Sequence, residues 1–210
     1  MRTIACIVGA ALLAPLPVPA DIITFELGYE FSDFGTSPTG PAPWLCATFD
    51  DGGTPGSVDL LLETPNIVDA ETVFLWMFNL DPALDPNALV FSAPTKTGAF
   101  DDPTISTEVD GFMADGDGLY DIKFQFAQND GAPTRFGSGD AVAYTITGIP
   151  SLVANSFYFM SHDNGGHGPF LTAAHVACIA PDNTSGWITV PEPATGLLFL
   201  AALCAVRRKR

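Results

Sequence analysis

Residues 118–126 read Gly-Leu-Tyr-Asp-Ile-Lys-Phe-Gln-Phe. Tyr120, Ile122, Phe124 and Phe126 fall on one side of a two-residue period, and Asp121, Lys123 and Gln125 on the other. A β-strand turns that spacing into one apolar and one polar face, whereas a helix scatters it around its circumference. The stretch therefore predicts a strand with one face on a core and one toward solvent.

Working outward, short apolar runs recur along the chain, punctuated by Gly, Pro and Asp. Strands are expected at Ile22–Leu27, Trp44–Phe49, Val58–Glu63, Ala88–Ser92, Ala141–Thr147, Ser156–Ser161, Thr172–Ile179 and Trp187–Val190. Thr72–Leu80 is the most apolar segment of the body. Phe74, Trp76 and Phe78 are expected on one face and Leu75 and Met77 on the other, which suits a central strand between packed layers. A buried helix competes for that segment, but its β-branched and aromatic content favours a strand. Residues 34–43 are rich in Gly, Ser, Pro and Thr and read as a loop. No segment of the body has convincing helical amphipathicity. The expectation is an all-β fold of about ten strands in two antiparallel sheets, a sandwich or jelly roll.

The two ends carry a different message. At the start, Arg2 precedes an apolar run, Ile4 to Leu16. Val18-Pro19-Ala20 then offers small residues for cleavage between Ala20 and Asp21, so residues 1–20 read as a signal peptide. An uncleaved anchor is the alternative, disfavoured by the short run and by Pro15, Pro17 and Pro19. At the other end, Pro191-Glu192-Pro193 is followed by the uncharged run Ala194 to Val206 and then by Arg207, Arg208, Lys209 and Arg210. A helix over that run spans roughly 20 Å, short of a hydrocarbon core of about 30 Å. A buried helix or a short anchor would both fit the run alone. The terminal basic cluster reads as a stop-transfer signal held in the cytoplasm.

That tripartite order resembles the PEP-CTERM sorting signal of bacterial exported proteins. The resemblance implies recognition of Pro191, Glu192 and Pro193 by exosortase, a membrane-embedded processing enzyme. It also implies a transient transmembrane helix and a host that makes exopolysaccharide. Both prolines resist helix and favour an extended, accessible segment. The expected organisation is a signal peptide at 1–20, a β-sandwich ectodomain at 21–188 and a sorting signal at 189–210. Residues 76–82 (WMFNLDP), 115–126 (DGDGLYDIKFQF), Arg135-Phe136, Gly139-Asp140 and 165–176 (GGHGPFLTAAHV) are similar to an uncharacterised group of such proteins. That second resemblance brings no activity with it.

Between the two signals only Lys96, Lys123 and Arg135 oppose 23 acidic residues, a net charge of −20. Such a field repels nucleic acid and anionic lipid. It suits plain solubility or binding of divalent cations. Cys46 and Cys178, a pair in an exported domain, could form a disulfide or remain two buried thiols.

Candidate sites are few. Asp115, Asp117 and Asp121 alternate through a Gly-rich stretch and could converge on calcium, which wants six to eight oxygens. The pattern departs from an EF-hand, with Leu119 at a ligand position and Phe126 where the terminal Glu belongs, and an acidic turn before a strand explains it as well. His162, His167 and His175 could contribute to a zinc or copper site, but they lack a recognised ligand spacing, and a turn-rich loop with hydrogen-bonded histidines is the favoured reading. Trp44, Tyr158 and Trp187 could stack on sugars or fill the core. There is no nucleophile elbow, phosphate loop or dinucleotide fingerprint. The sequence thus points to a non-enzymatic surface or matrix protein associated with exopolysaccharide. A calcium-dependent carbohydrate-binding module is the alternative, and a secreted glycan or ester hydrolase stands behind both.

Overall fold

A computed structural model describes residues 19–128 and 134–191. Most of the expected signal peptide lies outside the described residues, as do Glu192, Pro193, the apolar run and Arg207, Arg208, Lys209 and Arg210. Among the described residues no helix is long and apolar enough to cross a membrane.

The described residues form thirteen strands: β1 (Ile22–Leu27), β2 (Tyr29–Glu30), β3 (Leu45–Asp50), β4 (Val58–Glu63), β5 (Thr72–Phe78), β6 (Val90–Phe91), β7 (Thr95–Thr97), β8 (Thr104–Met113), β9 (Leu119–Gln125), β10 (Phe136–Gly137), β11 (Ala141–Thr147), β12 (Thr172–Ile179) and β13 (Thr184–Thr189). They pair antiparallel in two sheets. The first runs β1-β3-β4-β11-β6, with β7 also on β11, and the second runs β2-β13-β12-β5-β9-β8, with β10 also on β5. The expected all-β sandwich is therefore the observed fold.

The core between the sheets is aromatic. Phe78 meets Phe49 edge-on at 5.4 Å between ring centroids, and Phe157 stacks on Phe49 at 4.3 Å. Trp76 stacks on Phe78 at 5.7 Å, and its Nε1 donates to Thr172 Oγ1 at 3.1 Å. Thr172 Oγ1 in turn donates to the Met77 carbonyl at 2.6 Å, so the one polar atom of the indole is satisfied inside the core. A second, smaller cluster gathers Phe31, Met77, Ala114, Tyr120, Phe170 and Ala173. Met77 and Ala173 pair across β5 and β12 beside Trp76 and Ala174, which face the core. Met77 and Ala173 therefore lie on the opposite, outer face of the second sheet, where loop residues Phe31 and Phe170 cover them. A third, loop-built layer on that face explains why β5 is apolar on both sides.

Two local expectations need correction, one strand went unread, and one open alternative is resolved. Phe74 does not share the core face with Trp76 and Phe78. The β5–β12 register slips between His175 and Val176, so Val73 takes the core position. Phe74 is left beside His175, 6.1 Å between rings. A bulge of this kind shifts the face of every residue beyond it. Ser156–Ser161 is not a strand. A short 3₁₀ turn spans Ala154–Phe157, closed by the Val153 amide on Ser156 Oγ at 3.2 Å, with an irregular segment after it. β8 escaped prediction because it is an edge strand, largely exposed, with no apolar alternation to read. Trp44 is core, with its Nε1 donating to the Gly40 carbonyl at 2.7 Å.

Cys46 and Cys178 are free thiols rather than a disulfide. Cys46 lies in the first sheet between two buried neighbours, Leu45 and Ala47, so it faces away from the core. Cys178 is the bulged residue between Ala177 and Ile179 in the second sheet, at φ 61°, and takes a hydrogen bond from Arg135 Nη1 at 3.0 Å. A bridge would have to cross the sandwich. Burial, then the cross-strand carboxylates of Glu26 and Glu63, push the Cys46 thiol up and disfavour its thiolate. The expected result is an intact mass for the mature protein that does not change on reduction, with Cys46 alkylating slowly until the fold is denatured. A mass increase on reduction would restore the bond.

Candidate functional site

The outer face of the second sheet carries a cleft of about 360 Å³ lined by Asp33, Phe34, Asp115, His175 and Trp187 among others. Two loops and the strands β12 and β13 line it, and a third loop braces them. The first follows β2 and is fastened to β13: the Phe31 amide donates to the Trp187 carbonyl at 3.0 Å, the Trp187 amide to Ser32 Oγ at 3.1 Å and the Thr36 amide to the Ser185 carbonyl at 3.0 Å. This register sets Asp33 and Phe34 at the rim. The Phe34 side chain is 101% exposed, a large apolar ring with no part in the core.

The second loop is the acidic turn between β8 and β9. Asp115 sits there at φ 50°, a conformation aspartate tolerates. The third loop runs from His162 to Pro169. Buried Asp117 joins it to the second: its carboxylate accepts the His167 amide, and His167 Nδ1 lies 3.4 Å from the second oxygen. Gly166 approaches so closely, at φ 72°, that a Cβ there would overlap the Asp117 carboxylate. His167 Nε2 lies 3.2 Å from Asp33 Oδ1, so this one imidazole spans the first and second loops.

The electrostatics of the cleft are negative. Partial burial, then the charges of Asp117 and Asp33, push the Asp115 carboxyl above the usual range, with His175 and His167 offsetting part of that. Burial pulls His175 below the ordinary imidazole range, and Asp115 offsets only part of it, so the ring is neutral near neutral pH. Its Nδ1 is buried without a hydrogen-bond partner. The His175 ring packs 5.0 Å from Trp187.

The structure separates the residues that the sequence grouped. Asp121 faces elsewhere: Oδ2 accepts the Leu80 amide and Oδ1 the Asp110 amide, both at 2.9 Å. Asp117 clamps a loop, and Asp115 is exposed at the cleft. The three carboxylates do three different jobs. His162 pairs with Asp110 at 3.1 Å, away from His167 and His175, beside a second cleft of about 240 Å³ whose rim holds Val109 and Met160. Among the described residues no three His, Cys, Asp or Glu side chains are grouped to hold a metal ion. Tyr158 stacks on Phe25 with its ring half exposed. Asp33 and Phe34 went unremarked in the sequence. The signal was an isolated Phe between Asp and Gly, with no apolar neighbour to share a face.

No family model and no curated protein matches the chain. A solved structure is similar to it at 11% identity: a scaffoldin carbohydrate-binding module family 3b from the cellulosome of Bacteroides cellulosolvens, over 84% of this chain and 100% of that one, with a TM-score of 0.28. A likeness that distant carries no argument about binding.

Proposed function

We propose that the protein is exported and sorted by an exosortase-type enzyme through Pro191, Glu192, Pro193 and the basic cluster Arg207 to Arg210. It is held at the inner membrane transiently and then serves at the cell surface or in the extracellular matrix. There the sandwich has a structural or adhesive role alongside exopolysaccharide and needs no catalytic group. The observation that carries this reading is the match between the expected processing points and the edges of the folded domain. Asp21 directly precedes β1, and its amide and carbonyl are both bound to Asp51, while Ala20 before it is exposed. The last strand ends at Thr189, and Pro191 is already exposed two residues later. Cleavage at Ala20–Asp21 and processing near Pro191 would each leave the fold whole.

Replacing Pro191-Glu192-Pro193 by alanines tests the sorting step. The expected result is retention of the full-length chain in the membrane fraction and loss of the surface or released form. Pro191 lies outside the strands and is exposed, so the change leaves the sandwich intact and reports on sorting alone. Unchanged processing and fractionation would remove the proposal.

A further inference from the structure

We propose that the outer-face cleft binds an amino-sugar polymer, with its ammonium groups between Asp33 and Asp115 and its ring faces against Phe34 and Trp187. The inference rests on the exopolysaccharide reading above and names its site and sugar class. A sugar ring offers an apolar C–H face and a polar edge, so a site for it needs an aromatic surface beside hydrogen-bonding groups. Phe34 supplies an aromatic surface that no packing requirement explains: among the described phenylalanines it alone is left exposed, and no part of its ring is covered. Trp187, half buried on β13, supplies a second ring in the same cleft. The polar groups beside them are Asp33, Asp115, His175, Ser32 and Ser185, with His167 against Asp33, and among the described residues no Lys or Arg lines the cleft.

That charge decides the sugar class. Carboxylates accept hydrogen bonds and pair with cations, so a protonated amine is the complementary substituent and a uronate the worst one. The body's net charge of −20 acts in the same direction over longer range. Asp115 is destabilised by the like charges of Asp33 and Asp117, and a cation entering the cleft would relieve that repulsion. The aromatic faces add cation–π attraction for the same ammonium group. The volume of about 360 Å³ falls within the roughly 300–1,000 Å³ typical of small-ligand clefts.

Calorimetric titration of the mature exported protein at mildly acidic pH tests this with three probes: a glucosamine hexamer, an N-acetylglucosamine hexamer and a galacturonate hexamer. The glucosamine hexamer is expected to bind, and about ten-fold more weakly to Phe34→Ala, a change that keeps every charge. Asp115→Asn is expected to weaken it similarly and to reduce the salt dependence. The N-acetylated hexamer should bind at least about ten-fold more weakly, and the galacturonate hexamer not at all. Because the Phe34 ring is fully exposed, Phe34→Ala should keep the parent melting temperature. Equal affinity in Phe34→Ala would mean that the acidic body attracts the polymer without this site, and would overturn the inference. Equal binding of the acetylated probe would overturn the sugar class and leave the exopolysaccharide reading standing. No heat from any probe would overturn the site, while the export and sorting reading stands or falls separately on the fractionation experiment.

Discussion

Trp76→Ala is expected to lower the melting temperature of the β-sandwich domain by roughly 6–20 °C. The indole is fully buried at the centre of β5, itself in the middle of the second sheet, and stacks on Phe78. Removing a large aromatic side chain from such a position costs about 3–5 kcal/mol, because the cavity left behind collapses only in part. For a domain of this size each kcal/mol corresponds to roughly 2–4 °C. The loss of Nε1 also removes the donor to Thr172, although Thr172 keeps its own bond to the Met77 carbonyl. Trp76→Phe, which retains most of the volume, should cost less than half as much. Thermal unfolding followed by circular dichroism measures both. Equal melting temperatures for the alanine variant and the parent would mean that the aromatic core described above does not hold the sandwich together.

Asp51→Ala is expected to cost roughly 2–4 kcal/mol, since it strips the acceptor from three backbone N–H groups, two of them remote in the chain. Asp51 is 7% exposed. Its Oδ1 accepts the amides of Asp21 and Gly53, both at 2.9 Å, and its Oδ2 accepts the buried Ala154 amide at 3.2 Å. One carboxylate therefore ties the start of β1, the turn after β3 and the 3₁₀ turn that inserts Phe157 into the core. In a mature chain beginning at Asp21 that first donor is an ammonium, and the bond gains charge.

The same bonds make the contribution pH-dependent. Burial pushes the Asp51 carboxyl up, but the N–H groups of Asp21, Gly53 and Ala154 outweigh it, and the net displacement is below the usual value. A folded-state pKa below the unfolded one, about 3.9, means that the stabilisation is complete above that pH and is lost as pH falls through the lower, folded value. The stability gap between the parent and Asp51→Asn should therefore be widest near neutral pH and close in strong acid. A gap that does not change with pH would falsify the assignment.

Much of the fold was legible because alternation is local. The bounds of β1, β4, β11 and β12 match the apolar runs residue for residue, since each has one face on the core and a turn residue at its end. Where the chain departs from that rule the reading failed. β8 is an edge strand with no buried stripe. The bulge at Phe74 depends on how β12 pairs with β5, which nothing in residues 72–78 encodes. Ser156–Ser161 is aromatic-rich in the way strands are, but local hydrogen bonds of Ser156 and the burial of Phe157 draw it into a turn.

The candidate site was legible only in pieces. Asp115, Asp117 and the histidines stood out by residue type, and the sequence grouped them by proximity along the chain. Three-dimensional proximity follows the sheet instead. Asp115 meets Asp33, 82 positions earlier in the numbering, because β2 pairs with β13 and brings the first loop across the outer face. Asp121 is only six positions from Asp115 but points into a different set of amides, because it lies on the strand rather than in the turn.

By itself the sequence determined the all-β architecture, the resemblance of its C-terminal stretch to a sorting motif, and the acidic body. Hydrophobic period, charge order and turn residues are properties of neighbours in the chain. Only the tertiary structure decided that the two cysteines lie in different sheets as free thiols, that the second sheet has a covered outer face, and that Asp33, Phe34, Asp115, His175 and Trp187 share one cleft. Those are consequences of strand order and register, which long-range pairing sets and no single stretch contains.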